Sequence, residues 1–172
     1  MALVVEDGTG KTTSESYISV ADADTYDSTW EALASWTAAT TGEKETALRK
    51  ATRYLDLRYH HQWNGRRFND TQALDWPRTQ MQDYDGFQIA AESVPGNLED
   101  ATAYLAGRVT EGDDLTPVND NPGLKHHAYH NTTTGETKIY EGSPQSSNAK
   151  VYPLVEEKLK DLMVSGPMIW RA

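Results

Sequence analysis

Two groups of histidines are the first residues whose type and spacing suggest chemistry. His126, His127 and His130 lie in the sequence HHAYH, and His60 and His61 are adjacent. HHAYH has the i, i+4 spacing of two helical zinc ligands but lacks the Glu of the HExxH motif. Its pattern is strand-like, and on a strand His126 and His130 stand too far apart to chelate easily without a third ligand. We interpret these histidines as surface residues, and a small metal-dependent hydrolase that uses them is the alternative.

A glycine-rich stretch near the N-terminus has the residue types of a phosphate-binding loop. Residues 8–13 read GTGKTT, but the motif requires a glycine five residues before Gly10, and Val5 stands there. The loop should also follow a buried strand and open an apolar helix, whereas here a polar run follows it. We therefore predict that residues 1–18 form an extended arm and that no nucleotide is bound.

Other catalytic patterns are missing from the sequence. There is no Cys, which excludes disulfides, thiolate metal sites and Cys nucleophiles. No Ser lies in a GxSxG elbow, and sequence context marks no pair of carboxylates. The acidic loop over residues 113–121 lacks the ligand spacing of an EF-hand and its closing Glu. We predict a protein that is not an enzyme and that uses no cofactor or metal ion.

Charge is distributed unevenly along the chain, which has a formal net charge of -10. Residues 1–42 hold seven acids and one base, and residues 87–115 hold six acids and one base. Residues 43–86 hold seven acids and eight bases. Phosphate binding needs clustered Lys and Arg, so an acidic chain is expected to make few phosphate contacts. The charge therefore argues against DNA binding, and the acidic ends suit contacts with the Arg-bearing middle of another copy.

The sequence has no pattern typical of secretion or of a membrane span. The N-terminus lacks a basic region followed by an apolar run. No apolar stretch approaches the ~20 residues that cross a bilayer. We expect a soluble protein with no membrane partner.

Helical patterns dominate the first two thirds of the chain. Ser19 is the predicted cap of a first short helix, and one or two helical pieces fill residues 20–37. Thr40 and Glu43 form a capping-box pattern, and the helix behind it is predicted to run to about His61. Its apolar residues recur at the spacing of one helix face and are Leu48, Ala51, Leu55 and Tyr59.

Later elements alternate with turn signals. Pro95 is predicted to open another helix, whose buried stripe is Leu98, Ala101, Leu105 and Val109. The turn signal at 84–87 indicates a small hairpin, and residues 124–131 and 136–141 read as the strands of a second hairpin. A last helix is predicted from Pro153 to Gly166, and a short tail follows.

The predicted fold class is mainly α, a small helical bundle with a C-terminal β-hairpin and a terminal helix plus extended tail. The predicted division is 1–18 N-terminal arm, 19–115 helical core, 116–150 hairpin and loops, and 151–172 C-terminal helix and tail.

The most specifically patterned stretch is 46–78, where a basic helix runs into the Trp-Asn-Gly-Arg-Arg break at 63–67 and then into Trp-Pro-Arg at 76–78. It reads as a scaffold and not as an active site. Trp63 and Trp76 are predicted to anchor the bend between helices. The residues predicted to pair with acids of a neighbouring subunit, or to brace the loop, are Arg49, Arg53, Arg66, Arg67 and Arg78.

An ordered set of motifs over residues 14–110 resembles the head–tail connector (adaptor) proteins of tailed bacteriophages. Some members of that family carry the label DnaT-like single-stranded-DNA-binding protein. The set comprises SYISVADADTY at 16–26, ALRKATRYLD at 47–56, WNGR at 63–66, QAL at 72–74, WPR at 76–78, DG at 85–86, VP at 94–95 and the helix at 101–106.

The resemblance implies a structural protein of the virion neck, made in the host cytoplasm. It implies a dodecameric ring beneath the portal that joins the portal to a tail, nozzle or head-closure protein. DNA would pass through the ring without specific binding, because an acidic channel repels the phosphate backbone. By analogy, the tail residues Met168, Ile169, Trp170 and Arg171 would dock on the portal. The alternative from another class is a single-stranded-DNA-binding replication accessory protein.

Overall fold

A computed structural model describes residues 2–83, 86–115, 126–130, 137–141 and 151–163, and for 126–130 and 137–141 it describes the backbone. The chain divides into two compact units. One comprises Met1–Leu115 with Tyr152–Ala172, and the other is Thr116–Val151. The predicted tail residues Met168, Ile169, Trp170 and Arg171 lie outside the described residues.

The first unit is helical, with short strand pairs in its connections. Its helices are α1 (Val20–Tyr26), a π-helical turn (Asp27–Glu31), α2 (Ala34–Ala38), α3 (Thr41–Tyr59), α4 (Gly96–Thr110), α5 (Pro153–Leu159) and a 3-10 turn (Lys160–Leu162). Its strands are β1 (Arg66–Arg67), β2 (Arg78–Thr79), β3 (Met81–Gln82) and β4 (Gln88–Ile89). The predicted mainly α fold class is confirmed.

Helix α3 forms where the capping box predicted it. The Thr40 side chain accepts from the Glu43 backbone N–H at 3.4 Å, and the Glu43 carboxylate accepts from the Thr40 backbone N–H at 2.8 Å. These two bonds satisfy donors that a helix start leaves unpaired. The helix ends at Tyr59 rather than at the expected His61, because the following residues turn towards the break at 63–67.

The core lies between α3, α4 and α5. From α3 the predicted face is buried: Leu48, Ala51, Leu55 and Tyr59. From α4, Leu98, Ala101 and Leu105 are fully buried, and from α5 Val155 and Leu159 are. Burying each such Leu contributes roughly 1.5–3 kcal/mol. The helices are therefore held together mainly by apolar packing.

Two helix boundaries differ from the prediction. Helix α4 begins at Gly96, and Pro95 is its N-cap, with an extended ψ of 138°. The last helix gives way to a 3-10 turn that ends at Leu162, and Met163 is extended. It is shorter than expected because residues 162 and 163 bond to the break at 63–64 instead of continuing the helix.

The segment expected to be an arm is instead packed on the helical unit over its described residues, 2–18. Val5 forms a parallel β-bridge with Ser16, and Tyr17 has no exposed surface. Tyr17 and Ile18 join the main core. The prediction was wrong because the polar loop provides internal partners for its own backbone, as described below.

Three antiparallel strand pairs complete the described residues. β1 pairs with β2, and β3 pairs with β4 around the predicted turn at 84–87. The second unit contains β5 (His126–His130) and β6 (Thr137–Glu141), paired from His126↔Glu141 to His130↔Thr137. Both predicted hairpins are confirmed. Among the described helices, none is long and apolar enough to cross a membrane.

Candidate functional site

Two tryptophans close the break that follows α3. The rings of Trp63 and Trp76 meet edge to face with centroids 5.8 Å apart, and Tyr59 packs on Trp63 at 5.7 Å. Trp76 is fully buried, and Trp63 is 4% exposed. Such edge-to-face pairs contribute about 0.5–1.5 kcal/mol beyond their buried area. The break is therefore a rigid corner of the molecule.

A buried carboxylate organises this corner. Asp75, 5% exposed, accepts from Nε1 of Trp63 at 3.2 Å. Nδ1 of His60 lies 2.8 Å from one oxygen of Asp75 and 2.9 Å from the other. The imidazole is half exposed. An Asp that orients a His is a common part of proton-transfer sites, and it serves equally to tie a helix end to a loop.

A second carboxylate lies behind the first. Asp56 accepts from the hydroxyl of Tyr17, and that hydroxyl accepts from the backbone N–H of Asp75 at 3.1 Å. Burial raises the pKa of Asp56 to about 7, and the charge of Asp75 acts in the same direction. Burial beside Asp56 also raises the pKa of Tyr17. This network joins the N-terminal segment, α3 and the Trp76 loop, so its structural role is clear.

Arg78 braces the same corner from inside. It is 8% exposed, and its guanidinium donates to the carbonyls of Asn64 at 2.6 Å, Gly65 at 3.0 Å and Asp75 at 3.2 Å. Burial lowers the pKa of Arg78. Three carbonyls replace much of the water that the ion loses on folding.

The glycine-rich loop encloses its own anion. The carboxylate of Glu6, 3% exposed, accepts from the backbone N–H groups of Gly8 at 3.0 Å, Gly10 at 2.8 Å and Lys11 at 3.0 Å. Ser14 donates to it at 2.7 Å. Converging N–H groups of this kind form an anion-binding nest. The nest is filled from within, which explains why the loop resembles a phosphate site in sequence.

The remaining predicted arginines fall into two groups. Arg49 pairs with Glu15 at 3.0 Å and with Glu45 at 3.5 Å. Arg67 donates to the carbonyl of Gln72. Arg53 and Arg66 are exposed, and their side chains have no bonding partner among the residues that the structure describes. The sequence pattern alone did not separate bracing arginines from free ones.

Lys50 completes a set of three unpartnered cations in the described part of the chain, with Arg53 and Arg66. On α3, Thr46, Lys50, Arg53 and Leu57 fall within about 60° around the helix axis, and we call these four residues the outer face of α3. All four are exposed, and Leu57 is 67% exposed. The outer face contains no acid, so its positive charge faces solvent without internal compensation.

Some of the acidic residues elsewhere form ion pairs within the chain. Asp24 pairs with Lys44 at 2.7 Å, Asp100 with Lys158 at 2.9 Å, and Glu31 with Arg108 at 2.8 Å. A net charge counts these residues as if they all faced solvent. The local potential at α3 is set by nearby charges, because those farther than about 10 Å are screened at 0.1 M salt.

A metal centre has no support in the described residues, in which no group of three or more His, Cys, Asp or Glu could hold an ion. The side chains of His126, His127 and His130 lie outside that description, as does the loop from 116 to 121. His60 and His61 contact each other edge to face at 4.7 Å.

Sequence reasoning overlooked Glu6, Tyr17, Asp56 and Lys50. Of these four, only Lys50 could have been found from the sequence. The predicted buried face of α3 also defines its solvent-facing side, and Lys50 lies there three residues before Arg53. The partners of the buried acids lie up to 58 residues apart in the chain. No local pattern encodes such a contact.

Comparison with known families gives one match. The family model described as "Putative DnaT-like ssDNA binding protein" matches residues 1–171. The chain matches no curated protein and no solved structure.

This match corrects the functional expectation drawn from the sequence. The head–tail connector function, with its place in the virion neck, is not supported, because the matching family is described by binding of single-stranded DNA. The net charge of -10 is a poor guide to DNA binding, because it hides the unpartnered cations on α3 and β1. The matching family carries the label of single-stranded-DNA binding, which the acidic net charge had argued against.

Proposed function

The chain belongs to the DnaT-like single-stranded-DNA-binding protein family, and on that premise we propose that it binds single-stranded DNA. The observation that carries the proposal is the family match over nearly the whole chain. The structure contributes a candidate surface, because Lys50, Arg53 and Arg66 are exposed cations without internal partners.

The outer face of α3 is the proposed contact with the DNA backbone. Lys50 and Arg53 are three residues apart and project from the same side of the helix. Proteins that bind single strands without sequence preference use cationic surfaces that follow the phosphates. Arg66, on β1 seven residues beyond the end of α3, adds a third cation.

The acidic remainder of the molecule sets the character of the binding. Acids outnumber bases in residues 1–42 and 87–115, and phosphates are repelled there. We therefore propose that DNA contacts one limited surface, and that binding is weak and depends strongly on salt. This charge distribution disfavours wrapping of DNA around the protein.

The test is fluorescence anisotropy of a labelled oligo(dT) at low salt. We expect wild-type binding, and we expect Lys50→Gln/Arg53→Gln to weaken it more than about tenfold, since each charged hydrogen bond contributes about 1.5–3 kcal/mol.

The matched control is Lys11→Gln/Lys160→Gln, which removes the same charge from two lysines that are paired with Asp7 and Glu157. The control should bind within about threefold of wild type, the scatter expected for distant charges. No detectable binding by the folded wild-type protein would refute the proposed function. Equal loss in both double variants would refute the placement of the surface.

A further inference from the structure

Phe87 is an exposed aromatic residue beside the β3–β4 strand pair. Its side chain is 71% exposed, although most large apolar residues in the described part of the chain are at least partly buried. Gly86, the residue before it, has a φ of +86° that suits glycine, and its N–H donates to the carbonyl of Asp83 at 3.1 Å. Phe87 N–H donates to the Asp83 carboxylate at 2.8 Å, and its carbonyl accepts from Asp83 N–H at 2.9 Å.

This turn is continuous with the strand pair that carries Arg66. Arg66 pairs with Thr79 in β1–β2, and the chain then runs through Met81 into the β3–β4 hairpin that ends at Asp83 and Phe87. Asp83 lies four positions after Thr79, which corresponds to at most about 13 Å along a strand. A single-stranded DNA segment can therefore contact Arg66 and Phe87 at the same time.

The charges along this ribbon differ between its two ends. Arg66 provides an unpartnered cation at one end. Asp83, at the other end, repels phosphate but leaves the neutral face of a base free to stack. Gln82 and Gln88, which pair across the hairpin, are exposed and uncharged. The arrangement favours a phosphate near Arg66 and a base near Phe87.

Trp30 shows that exposure alone does not define such a position. It is 72% exposed, but it lies on the π-helical turn Asp27–Glu31, within residues 1–42, which hold seven acids and one base. Phosphates are disfavoured there. Trp30 is therefore a control residue of comparable exposure in an unsuitable electrostatic setting.

We propose that Phe87 is a base-stacking residue for single-stranded DNA whose phosphate contacts Arg66. This inference rests on the proposed function and adds the position and chemistry of one subsite. Stacking of a base on an aromatic ring is tolerant of sequence, because every base has a π-face. The subsite contributes affinity without specifying a sequence.

The experiment compares Phe87→Leu, Phe87→Trp and Trp30→Leu with wild type on two ligands, oligo(dT) and an abasic oligonucleotide of the same length and charge. Phe87→Leu should weaken oligo(dT) binding about 5- to 150-fold and leave the abasic ligand within about twofold. Phe87→Trp should restore oligo(dT) binding, and Trp30→Leu should resemble wild type. Thermal unfolding verifies that each variant is folded.

The outcomes separate the two proposals. If wild type binds oligo(dT) and Phe87→Leu binds it equally well, the stacking subsite is wrong and the proposed function stands. The subsite is also wrong if Phe87→Leu loses the abasic ligand to the same extent, because stacking requires bases. If wild type binds neither ligand, the proposed function fails, and the subsite fails with it.

Discussion

Nε1 of Trp63 donates a hydrogen bond to Oδ2 of Asp75 at 3.2 Å. This contact joins the break that follows α3 to the loop that precedes β2. Asp75 is buried and also bonds to His60. A buried carboxylate that loses a donor retains its desolvation cost. Losing this single hydrogen bond should therefore destabilise the corner by more than the energy of the bond itself.

Trp63→Phe tests this relation, with Trp76→Phe as its matched control. Both changes remove the same ring atoms from the same aromatic contact, but Nε1 of Trp76 is buried with no partner in the described residues. We expect Trp63→Phe to lower the free energy of unfolding by about 1–3 kcal/mol more than Trp76→Phe. Urea denaturation measures both, and equal losses would show that the bond to Asp75 contributes little.

Asp56 should make stability fall as pH rises. Its carboxyl has a pKa of about 7 in the folded protein and near 3.8 when unfolded, because burial disfavours its charged form. The folded state therefore holds a proton that the unfolded state releases. This contribution is complete below pH 3.8 and is lost as pH rises through about 7.

The Asp56→Asn variant isolates this contribution from those of other acids. Its amide oxygen can still accept from Tyr17, but it has no proton to exchange. Denaturation of both proteins from about pH 4 to pH 8 should give a difference that grows by a few kcal/mol in favour of the variant. Parallel stability curves would contradict the raised pKa of Asp56.

Glu6→Gln should loosen the N-terminal segment. The amide replaces one carboxylate oxygen with a donor that opposes the backbone N–H groups of Gly8, Gly10 or Lys11. We expect a loss of about 1.5–3 kcal/mol, the range for hydrogen bonds to a charged group. Glu92→Gln, at an exposed position, is the control and should change little.

Hydrogen exchange gives the local readout for Glu6→Gln. The amides of Gly8, Gly10 and Lys11 should exchange faster in this variant, while amides of the core residue Leu55 keep their protection. Unchanged exchange at all three glycine-loop amides would mean that the carboxylate is not what orders the loop.

Salt dependence tests the proposed DNA surface independently of absolute affinity. If Lys50, Arg53 and Arg66 contact phosphates, the slope of log K against log salt should be about -2, since single strands give about -0.7 for each contact. Affinity should then fall about 20-fold between roughly 50 and 200 mM salt. Removing Lys50 and Arg53 should reduce the slope by about 1.4. A slope that is unchanged in the variant would place the contacts elsewhere.

Local rules predicted the elements of this fold well. The capping box at Thr40 and Glu43, the buried face of α3 and the hairpin around residues 84–87 were all readable, because each depends on residues within a few positions. The boundary of the last helix was missed because Leu162 and Met163 bond to Asn64, which lies far away in the sequence.

The candidate site was much less accessible to sequence reasoning. Arg53 and Arg78 look alike in the sequence, yet one is exposed and unpartnered and the other is buried among carbonyls. The difference arises from the tertiary position of each residue. Phe87 carried no sequence signal of its own, because exposure is a property of the folded hairpin.

The bond from Asn64 to the carbonyl of Met163 spans 99 residues of chain. At a synthesis rate of about 5–20 residues per second, the segment that completes the corner at Trp63 is made roughly 5–20 s after Trp63 itself. Contacts of such long separation also form slowly, because a large loop must close first. The corner next to Arg66 is thus completed only after the segment around Met163 has been synthesised.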